Sequence, residues 1–315
     1  MKLIVPIQWA AEIEPHLSPD TQVVHVDTDG NLDGDARDAE VYLNWFFLQS
    51  TTHDKVLAAA PALRWQHTPS AGVNHILTPN FLKHDIILTN GAGIYAIPIA
   101  EFVLTFMLHH AKRLSKLHAL QNEHQWVRGL ELQELMDATL LVIGAGSIGQ
   151  EIAKRASAFG MRVWGSRRKP QSLPNFERVV GADEWRSLIS EADYVVIATP
   201  LTAETRGMIN AEVLRSMRPS AYLINIARGA VVDEAALITA LSEGWIAGAG
   251  LDTFSTEPLP LDSPFWSLPN VFITPHCSGS SPHAVKRTLE LFLDNLARYR
   301  TGKPLRNLVD KAAGY

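Results

Sequence analysis

Short apolar runs alternate with stretches of helical periodicity along the whole chain. In the first third the runs fall at residues 2–7, 21–26, 41–45, 63–67 and 86–88. A long helix is predicted after Pro98, through Ile99, Phe102, Val103, Phe106 and Met107, and its apolar spacing suits a buried or a dimer-forming face. Beyond it the runs fall at 140–143, 162–165, 194–198, 222–226, 246–251 and 271–274, with helices between and a last helix from about Pro282 to Tyr299. Runs this short and this apolar, separated by helices, predict parallel strands covered on both faces. The expected fold class is therefore α/β, with two doubly wound parallel sheets. Residues 98–286 are expected to form one domain, and 1–97 with 287–315 the other. The chain then crosses twice between domains, so a cleft with a hinge is expected.

One local pattern carries chemistry. Leu140-Leu-Val-Ile-Gly-Ala-Gly-Ser-Ile-Gly149 is an apolar run ending in Gly144-x-Gly146-x-x-Gly149, followed by a helical stretch to Phe159 and the next run at 162–165. This strand, tight turn, helix and strand are the context in which such glycines bind a dinucleotide. Gly144 permits the turn, Gly146 lets backbone approach a pyrophosphate, and Gly149 lets helix pack close to strand. The pyrophosphate would meet the helix N-terminus at Ser147 and Ile148. NAD sites usually end the second strand in a carboxylate for the ribose 2′-hydroxyl. This chain reads Gly165-Ser-Arg-Arg-Lys169 instead. Ser166 offers a hydroxyl, and Arg167 and Arg168 offer forked guanidinium groups to a 2′-phosphate, so NADPH is expected to be preferred over NADH.

Three polar residues follow later predicted strands: Arg228, Glu257 and His276. Ligands of open α/β sheets bind at the carboxyl ends of the strands. Hydride transfer to a 2-oxo acid needs a cation for the carboxylate and a proton donor for the carbonyl oxygen. Arg228 suits the first role and His276 the second, with Glu257 favouring the imidazolium.

The 315 residues carry a net charge of -5 and one cysteine, Cys277. No basic surface for nucleic acid is expected, and no membrane span. One cysteine permits no intrachain disulfide, which fits a cytoplasmic location. The N-terminus reads as a first strand rather than a signal peptide. The 12 histidines form no metal-ligand pattern, so no metal is expected. Cys277, beside His276, reads either as an oxidation-sensitive thiol or as a small buried residue, the second being the simpler.

The chain resembles the D-isomer-specific 2-hydroxyacid dehydrogenase family over nearly its whole length. The residues that carry this are Ala71-Gly-Val-Asn-His-Ile76, Pro98-Ile-Ala-Glu-Phe102, the glycine motif, Ala198-Thr-Pro-Leu-Thr202, Thr205-Arg-Gly-Met-Ile209, Asn225-Ile-Ala-Arg-Gly-Ala-Val-Val-Asp-Glu234, Gly250-Leu-Asp-Thr-Phe254 with Glu257-Pro258, and Thr274-Pro-His276. The resemblance implies a Rossmann cofactor domain and a flavodoxin-like substrate domain around a cleft, usually in a homodimer joined through the cofactor domains. It implies that His276 is the general acid/base paired with Glu257, and that Arg228 anchors the substrate carboxylate with the Ala71 and Gly72 backbone. Asp252 would partner the nicotinamide carboxamide. Thr199, Pro200, Ile226 and Ala227 would wall the cofactor, with Ser278 and Gly279 beside the nicotinamide. The Ser-Arg-Arg ending resembles the NADPH-dependent glyoxylate/hydroxypyruvate reductase branch. Asn74 stands where many relatives carry Asp.

Substrate size is open at this point. Trp45-Phe-Phe47 either walls a pocket for a larger keto acid or packs in the core. Glyoxylate, hydroxypyruvate, pyruvate and phenylpyruvate all fit. A formate-dehydrogenase-like relative has less use for an acid beside His276. Tyr299-x-x-x-Lys303 has the Tyr/Lys spacing of short-chain dehydrogenases, but its place at the far C-terminus reads as coincidence. The alternative from another class is a non-enzymatic, NAD(P)-sensing corepressor-like protein on this same fold.

Overall fold

A computed structural model describes residues 1–45 and 49–314. Among the described residues twelve strands run in chain order: β1 Lys2–Pro6, β2 Gln22–Val26, β3 Val41–Leu43, β4 Trp65–His67, β5 Ile87–Thr89, β6 Thr139–Ile143, β7 Arg162–Ser166, β8 Arg178–Val180, β9 Tyr194–Ile197, β10 Tyr222–Asn225, β11 Gly248–Leu251 and β12 Val271–Ile273. The helices are α1 Ala10–Ile13, α2 Ser50–Ala59, α3 Ala96–Ala111, α4 Leu114–Asn122, α5 Ser147–Ala158, α6 Ala211–Ser216, α7 Glu234–Ser242 and α8 Ala284–Arg300. The chain divides into two compact units, Met1–Tyr95 with Ser281–Tyr315, and Ala96–Ser280.

The first unit holds a five-stranded sheet in the order β2-β1-β3-β4-β5, parallel throughout. This is the flavodoxin-like order. Alternation along β1 explains the two cores. Leu3 and Val5 join Val41, Leu43 and Trp65 against Leu289, Phe292 and Leu296 of α8. Ile4 turns to the other face, with Val24, Tyr42, Leu88 and Val56 and Leu57 of α2. Phe292 and Tyr299 both stack on Trp65, with centroids 5.5 and 5.3 Å away. Tyr299 is thus a packing residue, and its spacing to Lys303 carries no chemistry.

The second unit holds a seven-stranded parallel sheet, β12-β11-β10-β9-β6-β7-β8. Strand order reverses between β6 and β9, the crevice where such sheets take a dinucleotide. Helix α3 answers the question its spacing left open. Ile99, Val103, Phe106 and Met107 are buried within the unit, against α5 and β10. Edge strand β8 escaped the sequence reading because three residues, Arg178-Val-Val180, give too short a run to stand out. Among the described residues no helix is long and apolar enough to cross a membrane, and no group of His, Cys, Asp and Glu could hold a metal ion.

Candidate active site

The glycine turn joins β6 to α5. Gly144 adopts φ +109°, and a Cβ there would lie 2.5 Å from the Ala198 carbonyl oxygen. A Cβ on Gly149 would lie 2.4 Å from the Gly144 carbonyl oxygen. These two glycines are demanded by the protein's own backbone. Gly146 is not: a Cβ there would meet nothing within 4 Å. Gly146 is the N-cap of α5 and makes no side-chain cap. The N–H groups of Ser147, Ile148 and Gly149 begin the helix without intrahelical acceptors. Open ground before an uncapped N-terminus fits a pyrophosphate.

At the end of β7, Ser166 is buried and its carbonyl accepts from the Gly144 and Ala145 amides at 3.2 and 2.7 Å. Arg167 is half-buried and Arg168 exposed. The Arg168 charge helps hold the Glu204 carboxyl below its ordinary value, after the larger effect of the Thr202 hydroxyl. Thr199 and Pro200 follow β9, beside the Ala198 carbonyl that touches the glycine turn. Ile226 and Ala227 are buried just after β10.

Beyond β10, β11 and β12 the chain brings Arg228, Glu257 and His276 together. Asn225, the last residue of β10, bends the backbone by accepting from the Ala227 amide at 3.1 Å and donating to the Arg228 carbonyl at 3.0 Å. The Arg228 guanidinium donates to the Ala227 carbonyl at 2.7 Å. Burial lowers its pKa and the Glu257 charge opposes that shift, so the two side chains lie in one electrostatic field. Glu257 spends its two oxygens on different tasks. Oε1 accepts from the Phe254 amide at 3.0 Å, fixing its own loop, and Oε2 meets His276 Nδ1 at 2.7 Å. Nδ1 is thereby engaged, which leaves Nε2 as the ring nitrogen able to exchange a proton.

Two further residues make this arrangement possible. A Cβ on Gly229 would lie 1.9 Å from the Phe254 carbonyl carbon, so only glycine lets the Arg228 loop lie against the loop of Glu257. Glu234, first residue of α7, accepts from the Ser255 amide at 2.6 Å and pins that loop from its other side. Neither was read from the sequence, nor was Asn225. All three lie in the run 225–234 that carries the family resemblance, and that was the available signal.

His276 has φ +51°, unusual for a residue with a side chain. Asp252 follows β11, is fully buried, and hydrogen-bonds the segment around His276. Ser278 is buried and Gly279 half-buried on the same segment. Burial and the Asp252 charge push the Cys277 thiol up, the opposite of what a reactive thiol needs.

In the first unit, Ala71 and Gly72 are half-buried, and the Ala71 carbonyl accepts from Asn90 Nδ2 at 2.9 Å. Trp45 packs on Trp9 with centroids 4.8 Å apart. Phe46 and Phe47 lie outside the described residues.

Known proteins resemble this chain in sequence and in fold. Residues 104–278 match the family model for the NAD binding domain of D-isomer specific 2-hydroxyacid dehydrogenases. A glyoxylate reductase of Thermococcus kodakarensis is 37% identical over 277 residues, covering 84% of this chain and 81% of the relative. A D-isomer specific 2-hydroxyacid dehydrogenase of Xanthobacter autotrophicus, solved with NADPH, superposes with a TM-score of 0.87 at 30% identity, covering 100% and 99% of the two chains. The NADPH-dependent glyoxylate/hydroxypyruvate reductase of Sinorhizobium meliloti, solved with NADP, gives 0.86 at 29% identity, covering 100% and 99%.

Proposed function

The chain belongs to the D-isomer specific 2-hydroxyacid dehydrogenase family, and on that footing we propose that it reduces a small 2-oxo acid to the D-2-hydroxy acid with NADPH. The observation that carries this reading is the 2.7 Å contact of His276 Nδ1 with Glu257, made in the field of the Arg228 guanidinium. A reduced nicotinamide supplies the hydride. Arg228 binds the substrate carboxylate in its planar fork. His276 gives the proton on Nε2 to the carbonyl oxygen, and Glu257 orients the ring through Nδ1. Ser147 and Ile148 hold the pyrophosphate. Thr199, Pro200, Ile226, Ala227, Ser278 and Gly279 line the cofactor, and Asp252 takes the carboxamide. A carboxylate has about four acceptor positions, and three on Asp252 are used by the protein, so one remains for that amide.

NADPH is proposed because Ser166, Arg167 and Arg168 stand where a carboxylate would repel a 2′-phosphate; two of the solved relatives carry NADPH or NADP. Glyoxylate or hydroxypyruvate is proposed as substrate. The relatives' names point to them, and Trp45 is engaged by Trp9. We place the enzyme in the cytoplasm, as a homodimer joined through the second unit. The run after α4 supports that interface: Trp126 is 89% exposed, with Val127, Leu132 and Met136 also exposed. Light scattering reading a monomer's mass sinks the dimer.

The test is a panel of 2-oxo acids with NADPH and NADH, followed by the chirality of the product. Turnover to the D-isomer is expected, with a higher kcat/KM for NADPH, mainly through KM. Equal kcat/KM for the two cofactors refutes the preference. Tight cofactor binding without turnover of any 2-oxo acid favours a cofactor-sensing protein instead.

A further inference from the structure

Asp252 has more to do than its place after β11 foretells. Its carboxylate is 0% exposed and accepts three hydrogen bonds, all from one short segment. Thr274 Oγ1 donates to Oδ1 at 2.6 Å, the Cys277 amide to Oδ1 at 2.9 Å, and the Ser278 amide to Oδ2 at 3.0 Å. The donors stand on both sides of His276. That residue is in the left-handed region, at φ +51°. Such a conformation is strained for a residue with a Cβ, and persists only where the surroundings over-determine it. The backbone itself supplies one bond, His276 amide to Thr274 carbonyl at 3.0 Å. The other three come from Asp252, each assisted by its charge.

We propose that Asp252 is a positioning residue for the proton-transferring histidine. It ties the turn so that the imidazole leaves the backbone at the one angle from which Nδ1 meets Glu257. Glu257 is anchored independently, through the Phe254 amide. The catalytic pair is therefore assembled from two loops, each fixed by its own carboxylate. The same oxygens face the position that a carboxamide takes in the proposed function, so Asp252 links cofactor seating to histidine alignment. This inference rests on the reading that His276 moves the proton.

Asp252→Asn tests it, because the Asn side chain keeps the volume but sets an N–H against the Ser278 amide. We expect kcat at saturating NADPH to fall about 10²-fold, as for a misaligned catalytic group, over and above any weakening of NADPH binding. In cofactor-free protein, carbethoxylation of His276, followed by peptide mass spectrometry, is expected to run faster than in the parent. Thr274→Val removes one hydrogen bond of the three, and a smaller loss of about tenfold is expected from it; it keeps the proposal testable if the Asn variant does not fold. An Asp252→Asn enzyme with unchanged saturated kcat and weakened NADPH binding makes Asp252 a cofactor anchor alone and overturns the proposal. So does an unaltered modification rate at His276. Near-normal turnover by His276→Ala is a separate result, and it removes the proton-donor reading itself.

Discussion

Two buried histidines of the first unit and one exposed histidine of the second meet opposite surroundings. In the first unit, His53 and His67 have no exposed surface and are closed into neutral networks. His53 Nε2 donates to Gln66 at 2.9 Å, Gln66 donates to Asn44 at 2.8 Å, and Asn44 donates to Thr68 at 3.2 Å. His67 Nδ1 meets the Thr89 hydroxyl at 2.8 Å, and Trp65 donates to that hydroxyl at 2.9 Å. Burial pulls His67 down to about 3. In the second unit, His276 lies three residues past the end of β12, is exposed, and meets a carboxylate. Inside the covered strand β4, His67 becomes a packing residue, whereas His25 of edge strand β2 meets Asp33 and Glu14 at 2.6 and 2.7 Å. A histidine carried past the strand end can exchange a proton. The same residue type thus serves structure or chemistry according to a few residues of placement.

The sharpest way to break this contrast is to exchange the losses. His276→Ala is expected to lower kcat about 10²–10⁴-fold, the range for a general acid, with cofactor binding intact by fluorescence titration. His67→Phe should leave kcat within about threefold and act on the melting temperature instead, since it touches no transition-state contact. Reversed results dissolve the distinction. Next in size is Arg228→Ala. Loss of a buried charged partner costs about 2–5 kcal/mol, roughly 30- to 4000-fold in kcat/KM. Both KM and kcat should move in steady-state assays, and unaltered keto-acid kinetics would reassign the anchor.

Gly229→Ala probes the approach of the two loops rather than a functional group. A Cβ 1.9 Å from the Phe254 backbone forces a shift, and overpacking of this kind costs about 1–3 kcal/mol. A lower melting temperature by scanning calorimetry is expected together with a loss of kcat. A fall in stability with full kcat would show that the Glu257 loop tolerates the displacement.

The smallest expected effect is on pH dependence, and its sign follows from burial. His67 titrates near 6.5 when unfolded and about 3 when folded, and His110 is likewise pulled down to about 4. Below about pH 6.5 the unfolded chain binds protons that the native state refuses. Stability is therefore complete above that pH and is lost as pH falls towards the folded values, by up to about 1.4 kcal/mol per pH unit for His67. Comparing melts at pH 7 and pH 5, His67→Phe should lose less than the parent. An equal loss in both removes His67 from the acid response.

How much of this was legible follows the reach of each signal. The spacing of Gly144, Gly146 and Gly149 could be read outright because it falls within one strand–helix step, although the atom that Gly144 must avoid belongs to Ala198 beyond β9. Arg228, Glu257 and His276 were found because each follows an apolar run, and β10, β11 and β12 prove to be neighbours. What stayed hidden depends on approach between loops: Gly229 under Phe254, Glu234 on Ser255, Asp252 around His276. A glycine after Arg228 and an acid at a helix start each have common local explanations, so no spacing set them apart. Trp45 was left between core and pocket, and its packing on Trp9 could not be foreseen from a run of aromatics.

The discontinuity of the first unit bears on how the molecule is made. Trp65 and its neighbours Leu3, Val5, Val41 and Leu43 emerge early, but the helix that covers them, α8, follows only after the whole second unit. At about 5–20 residues per second, that face waits roughly 10–45 s for Phe292. The second unit, one unbroken length of chain, can complete its own interior in the meantime. A ribosome-bound intermediate with a finished cofactor lobe and a sticky, half-built partner is the natural client for a holding chaperone.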